Sequence, residues 1–382
     1  MSERREVVGV VGAGTMGSGI AQIALEAGHA VALHDVDIAS LELGRERIGE
    51  GLARRAAKLG LRADAMNAWV DGRLAKLRQV RDLSALASES EVVIEAAPED
   101  LDLKRTIFRT LDRAASPDAI LATNTSAIAV AQIATATTRP GRVLGLHFFN
   151  PAPVMTLVEV VTALDTDKAT ADRAQALMSA WGKTPVRCAD TPGFIVNRVN
   201  RPFTIQALRL LEAGSATVSG IDGAMRAAGF PLGPFELMDL VGLDVNLATA
   251  RGIWDGLGRP DRLRPSPIQE GLVAEGRLGR KTGAGFYIYV DGRRVEVAPA
   301  FDEGARGGES GERRGGPESR AGRRTANEIQ ALIVAAVDAE ARQAVAQGVA
   351  TARDIDLAMR AGAGHPSGPF ERARESAKRA DS

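Results

Sequence analysis

The stretch VVGVVGAGTMGSGIA, beginning at Val7, constrains the fold more than any other part of the chain. A β-branched run from Val7 to Val11 leads into Gly12, Gly14 and Gly17, and the residues after them have helical apolar spacing. Each glycine of this G-x-G-x-x-G spacing has its own task. The first permits a tight turn, the second lets the backbone approach a pyrophosphate, and the third lets the helix pack close to the strand. The helix N-terminus, with Thr15 and Met16, then offers N–H groups and a dipole to the phosphates. A second strand over 30–33 is followed by Asp35, 18 residues after Gly17. An acid there bonds the ribose hydroxyls of an adenosine and repels a 2′-phosphate, which favours NAD over NADP. The competing reading is a glycine-rich turn followed by a chance acid.

The pattern continues as helix over 16–27 ending at Gly28, two charged amphipathic helices over 40–77 broken near Gly60, strands over 92–94, 119–122 and 143–146, and a helix over 101–114. Strands alternating with helices specify an α/β domain with a mainly parallel, Rossmann-type sheet covered on both faces. Near Pro185 the pattern changes, and the domain boundary is expected close to Asp190. Beyond it come a long helix over 194–211, helical segments separated by Gly/Pro turns, and a short strand over 285–290. The segment 301–324 is nearly devoid of aliphatic residues and reads as a flexible linker. An internal echo follows: IDGAMRAAGFPLGPFE (221–236) returns as IDLAMRAGAGHPSGPFE (355–371), with one extra residue. The expected order is therefore a nucleotide-binding domain over 1–189, an all-α domain over 190–292, a linker over 297–324, and a partial second helical domain over 325–375.

Totals exclude several function classes. The 382 residues balance 48 basic against 48 acidic side chains, so no global field draws in nucleic acid or an anionic membrane. A hydrophobic content of 45% supports at least two domains. The single cysteine, Cys188, rules out an internal disulfide framework and fits a reducing cytoplasm. The sequence has neither a signal-peptide-like apolar stretch nor a run of about 18 apolar residues, so a soluble intracellular protein is expected.

The chemistry-bearing residues gather around HFFNPAP, 147–153. His147 follows the apolar run 143–146, and Glu159 comes 12 residues later in an expected strand over 155–161. A turn of that length can bring the two strands side by side. The carboxylate then fixes the imidazole tautomer and raises its basicity, as a general base in alcohol oxidation requires. A purely structural His–Glu pair fits the spacing equally well. Asn124 and Ser126 lie just past the strand 119–122, at the sheet edge that faces the ligand crevice in such folds. Helix capping by Thr125 or Ser126 is the alternative there. Asn197, in TPGFIVNRVN, falls early in the long helix of the second domain and can offer its amide to a substrate oxygen.

Together GAGTMG, IEAAPED, ATNTS, HFFNPAP, TPGFIVNR, GFPLGPFELMDLVGLD and KTGAGFY resemble the L-3-hydroxyacyl-CoA dehydrogenase family, from Val7 to about Val290. The resemblance implies an NAD-dependent enzyme, resembling 3-hydroxybutyryl-CoA dehydrogenases of fatty-acid β-oxidation, that acts on an acyl-CoA and dimerises through its helical domain. It implies His147 as general acid/base, Glu159 as its orienting partner, and Ser126 and Asn197 as substrate contacts. Glu99, Lys104 and Asn124 would line the nicotinamide side. The helical arm 40–77, with Arg54, Arg55 and Lys58, would meet the nucleotide of CoA, although such a cluster also suits a solvated face. No metal is implied. Rival readings are a dehydrogenase of a free hydroxy acid or carnitine-like alcohol, a relative using lysine as proton carrier, and a non-catalytic nucleotide-binding protein.

Overall fold

In the computed structural model the described residues are 6–301 and 323–380, so most of the expected linker over 297–324 lies outside them. The chain divides into two compact units, Met1–Phe194 and Ile195–Ser382.

The first unit is built on one sheet of eight strands: β1 (Val7–Val11), β2 (Ala30–His34), β3 (Leu77–Gln79), β4 (Val92–Glu95), β5 (Ile120–Thr123), β6 (Val143–Phe148), β7 (Leu157–Thr162) and β8 (Thr184–Ala189). Their order is β3-β2-β1-β4-β5-β6-β7-β8. All neighbours run parallel except β6 and β7, which are antiparallel. The chain leaves β1 in one direction and returns through β4 on its other side. This is the switch in strand order at which open α/β sheets bind ligands. Val8, Val10, Leu33, Ile94, Ile120 and Leu146 are fully buried between the sheet and its helices. Near-continuous apolar strands of this kind are what a doubly covered sheet demands.

Several elements were not anticipated, among them the short helices Leu83–Glu89 and Val130–Ala134. β3 is short, and only its first residue, Leu77, is buried. The helix Lys168–Ala180 and β8 occupy the stretch over which the alternating pattern had faded. Pro185 sits inside β8, where an edge strand tolerates the missing N–H. β6 also runs on to Phe148, so His147 is a strand residue and not the start of the turn.

In the second unit the expected continuous helix over 194–211 is two, Val196–Val199 and Arg201–Glu212, parted at Asn200. Pro202 explains the break, because it lacks an N–H and its ring disfavours helical geometry just before it. Helices Val218–Ala227, Pro234–Val241, Leu243–Gly256 and Pro267–Ala274 follow. A small antiparallel hairpin, β9 (Tyr287–Val290) with β10 (Arg293–Val297), closes this part, and β10 was not expected. The second copy is fully helical: Ala326–Ala346, Ala352–Ala363 and Pro369–Ala380. Among the described residues no helix is long and apolar enough to cross a membrane.

Candidate active site

The glycine loop has the geometry its spacing predicts. Gly12 takes φ +100°, and a Cβ there would lie 2.7 Å from the Ala96 carbonyl oxygen at the end of β4. A Cβ on Gly17 would fall 1.8 Å from the Gly12 carbonyl oxygen, so only glycine lets the helix Thr15–Glu26 pack this close. At Gly14 a Cβ would meet nothing within 4 Å. The backbone there faces open space, and the helix start has no side-chain cap. These are the conditions for a pyrophosphate on the first turn, and the residues fit NAD. Thr15 is exposed at this helix start, whereas Met16 is half-buried and packs against the core.

Asp35 is half-buried beside the loop. Its Oδ2 accepts the Ala13 N–H at 2.8 Å, and its Oδ1 accepts the Asp37 N–H at 3.2 Å. The carboxylate that was expected to serve a ribose thus also braces the glycine loop.

The central finding is the register of β6 on β7. His147 pairs directly with Glu159, and on adjacent antiparallel strands directly paired side chains share a face. The imidazole Nδ1 lies 2.6 Å from Glu159 Oε2, with both residues buried. A carboxylate at Nδ1 fixes the tautomer in which Nε2 is the free base. The rings of Phe149 and Phe194 pack on the imidazole, with centroids 4.6 and 5.7 Å away. Beyond Phe149 the turn contains a cis Asn150–Pro151 peptide. Lys183 pins that turn, donating to the carbonyls of Ala152 (2.6 Å) and Met155 (2.8 Å), and burial pushes its amine down to about 8.

Beside β6, the ATNTS turn leaves the end of β5. Asn124 Oδ1 accepts the Phe148 N–H at 2.8 Å, which ties this turn to the histidine strand. Glu99 Oε1 accepts from the Thr125 hydroxyl (2.6 Å) and from the N–H groups of Ser126 (2.9 Å) and Ala127 (3.0 Å). Partial burial works to raise the Glu99 carboxyl, but the Thr125 hydroxyl, the Lys104 ammonium and the two N–H groups outweigh it and hold it below its ordinary range. Thr125 also accepts the Ile128 N–H at 2.9 Å, so the turn-closing role falls to Thr125 while Ser126 is exposed.

Lys104 lies buried beside Glu99. Its side chain is only 1% exposed. Its ammonium donates to Glu95 Oε1 at 2.7 Å and to the Ala97 carbonyl at 3.2 Å, and lies 3.4 Å from Glu99 Oε2. It supports Glu99 from below. Glu95, fully buried at the end of β4, was missed. It also accepts from the Ala97 N–H (2.6 Å) and the Thr123 hydroxyl (2.7 Å). The available signal was one acid at the C-terminal end of an otherwise apolar strand, VVIE.

Arg54 and Lys58 are exposed on one face of the helix Ile38–Lys58. With Arg47 and Arg55 they line a cavity of about 550 Å³ whose far wall is the turn Pro151–Val154. Arg54 pairs with Glu50 at 3.3 Å, an exposed pair of small energetic worth, and Arg55 lies 3.6 Å from the half-buried Glu26. Asn197 is half-buried in the second unit, in the short helix before the Asn200 break.

The chain is similar to several known proteins. Residues 7–191 match the family model described as 3-hydroxyacyl-CoA dehydrogenase, NAD binding domain. Residues 193–289 and again 329–377 match the model of that family's C-terminal domain. The 3-hydroxybutyryl-CoA dehydrogenase of Mycobacterium tuberculosis is 44% identical over 292 residues, which are 76% of this chain and 100% of the relative. The 3-hydroxyadipyl-CoA dehydrogenase of Escherichia coli is 44% identical over 293 residues, and the match spans 61% of that longer protein. A crystal structure of 3-hydroxybutyryl-CoA dehydrogenase from Escherichia coli superposes with a TM-score of 0.84 at 36% identity, covering 97% of this chain and 91% of that one. Matched by both domain models in tandem over more than half its length, the chain belongs to the 3-hydroxyacyl-CoA dehydrogenase family.

Proposed function

We propose that the chain interconverts (S)-3-hydroxyacyl-CoA and 3-oxoacyl-CoA with NAD, acting on short acyl chains such as 3-hydroxybutyryl, in a β-oxidation type of step in the cytoplasm. The observation that carries the reading is the His147–Glu159 pair, set in register on adjacent strands of a sheet whose first strand feeds the glycine loop. In the oxidative direction His147 Nε2 takes the 3-hydroxyl proton. Glu159 holds Nδ1–H and stabilises the imidazolium that results. Phe149 and Phe194 narrow the access of water to the ring. Ser126, and Asn197 from the second unit, hold the substrate oxygens and steady charge that develops on them. Nicotinamide C4, when the cofactor is bound, supplies the hydride acceptor. Asn124 and Glu99 shape the nicotinamide side, with Lys104 behind Glu99. Arg54 and Lys58 offer positive charge to the 3′-phosphate of CoA. The 3-hydroxybutyryl-CoA activity named for the Mycobacterium tuberculosis relative, matched over its full length, supports the short-chain assignment.

The test is consumption of NADH by the purified chain with acetoacetyl-CoA. Turnover with this substrate, exceeding that with longer 3-oxoacyl-CoAs, is the expected result. NADH binding without turnover on any acyl-CoA, but with turnover of a free 3-oxo acid, would replace the reading.

Glu159→Gln tests the tautomer argument. The amide keeps the size of the carboxylate but can donate to Nδ1, which favours the tautomer with its proton on Nε2. The expected loss in kcat is on the order of 10² or more, with NADH affinity intact. An undiminished kcat would make the pair structural.

A further inference from the structure

Two arginines of the second unit lie three residues apart and are satisfied in opposite ways. Arg198, 1% exposed, is bonded at 2.9 Å to the equally buried Glu340 and donates to Gln347 at 2.6 Å. A buried guanidinium with a carboxylate against it is the ordinary structural case. Arg201 is buried too, at 6% exposed, yet the one partner it has is neutral. Among the described residues its side chain makes a single hydrogen bond, from Nη1 to Asn246 Oδ1 at 3.1 Å, and its buried Nε–H meets no acceptor. Burial pushes the guanidinium down to about 10, and no acidic neighbour counters it.

The surroundings of Arg201 are polar and come from three helices, Arg201–Glu212, Leu243–Gly256 and Pro267–Ala274. Asn246 and Gln269 are both buried. Asn246 Oδ1, besides accepting from Arg201, accepts from Gln269 Nε2 at 3.0 Å, and the same Nε2 reaches the Leu243 carbonyl at 3.2 Å. The acceptor given to Arg201 is thus shared and uncharged. It holds the guanidinium in one orientation without neutralising it. With Nη1 engaged, the edge left over is Nε with Nη2. Two parallel N–H groups along one edge form the fork that takes a carboxylate through two bonds.

The place of Arg201 in the chain says which carboxylate. Asn200 parts the two helices, but its own backbone stays in the right-handed helical region, at φ −81° and ψ −7°. The winding therefore runs on through it. Asn197 and Arg201, four residues apart, project from the same side, with Cβ atoms about 5–6 Å from each other. Asn197 holds a substrate oxygen in the reaction proposed above. A group held by Arg201 then lies a few methylenes further along the acyl chain.

We propose that Arg201, oriented by Asn246, is a specificity residue that receives a carboxylate at the far end of the acyl chain, so that the preferred substrates are the 3-hydroxy- and 3-oxoacyl-CoAs of short dicarboxylic acids. This rests on the activity and on the role of Asn197 given above. A chain that ends in a methyl group leaves the buried charge unpaired, and the short-chain preference stated above is the order among such methyl-ended chains.

The test compares 3-oxohexanedioyl-CoA with 3-oxohexanoyl-CoA on the full chain. The two share CoA and chain length and differ in the terminal group, so contacts to the CoA phosphates cancel. Consumption of NADH by the wild type should give a kcat/KM about 100-fold higher for the dicarboxylic substrate, mainly through a lower KM. In Arg201→Met that ratio should fall to about one. Arg201→Lys keeps the charge but not the fork, and its ratio should lie between the two. Without substrate, Arg201→Met should melt at or above the wild-type temperature, because it removes a buried charge that nothing compensates. Equal efficiency on the two substrates in the wild type, or an unchanged ratio in Arg201→Met, overturns the proposal. So does a melting temperature of Arg201→Met well below that of the wild type, which would make the guanidinium a support of the fold. Turnover at equal efficiency leaves the activity above standing and refutes only this inference. A chain inactive on every acyl-CoA, acetoacetyl-CoA included, refutes that activity and this inference with it.

Discussion

His147→Ala lowers kcat/KM for acetoacetyl-CoA by about 10²–10⁴-fold and leaves NADH affinity unchanged. The size of the effect follows from the position of the ring. His147 is the residue whose Nδ1 is locked to a buried carboxylate, leaving Nε2 as its one free basic nitrogen. Alanine removes the proton carrier and takes the imidazole away from the buried Glu159. The glycine loop and Asp35 follow β1 and β2, well along the sheet from β6, so cofactor binding is preserved. Fluorescence titration with NADH and a thermal melt separate loss of chemistry from loss of fold. A variant that binds NADH, melts as wild type and retains more than about a tenth of wild-type activity would place the proton carrier elsewhere.

Lys104→Met costs about 3–5 kcal/mol of folding stability, the range for removing one partner of a buried ion pair. Glu95 is fully buried and would keep only the Ala97 N–H and the Thr123 hydroxyl. Two neutral donors do not offset the desolvation of a full charge. Urea unfolding of the variant measures this directly. A loss of about 0–1 kcal/mol, typical of an exposed pair, would show that the lysine is not needed to compensate Glu95. The same substitution removes the cation that helps hold Glu99 ionised. Glu99's folded carboxyl lies below its unfolded value. It therefore contributes stability above the ordinary glutamate range, and that contribution fades as pH falls through the lowered value.

Local pattern carried much of this in advance. The glycine spacing, the strand–helix alternation and the end of the helix Leu101–Ala114 are set by short-range rules, and each appears in the structure as read. What escaped was decided by neighbours distant in sequence. β3 is too short to have a period of its own, and β8 carries a proline that only an edge position permits. The bond from Lys104 to Glu95, nine residues earlier on another element, is made only when the helix folds back over the end of β4. The break at Asn200 was legible in Pro202 but was outweighed by the apolar rhythm around it. The partners of Arg198 and Asn200 lie 142 and 165 residues away, beyond the reach of spacing arguments.

The antiparallel step from β6 to β7 has a consequence for how this site tolerates change. His147 and Glu159 face each other because the turn over 149–156 returns the chain in one register. Side chains on a strand alternate faces, so a one-residue slip of β7 against β6 would carry Glu159 to the opposite side of the sheet. The apolar residues that alternate with Glu159 along β7 guard against that slip, because the same shift would expose them. The packing of this strand pair is therefore part of the catalytic apparatus, while the length of the loop between them is free to vary so long as the pairing is kept.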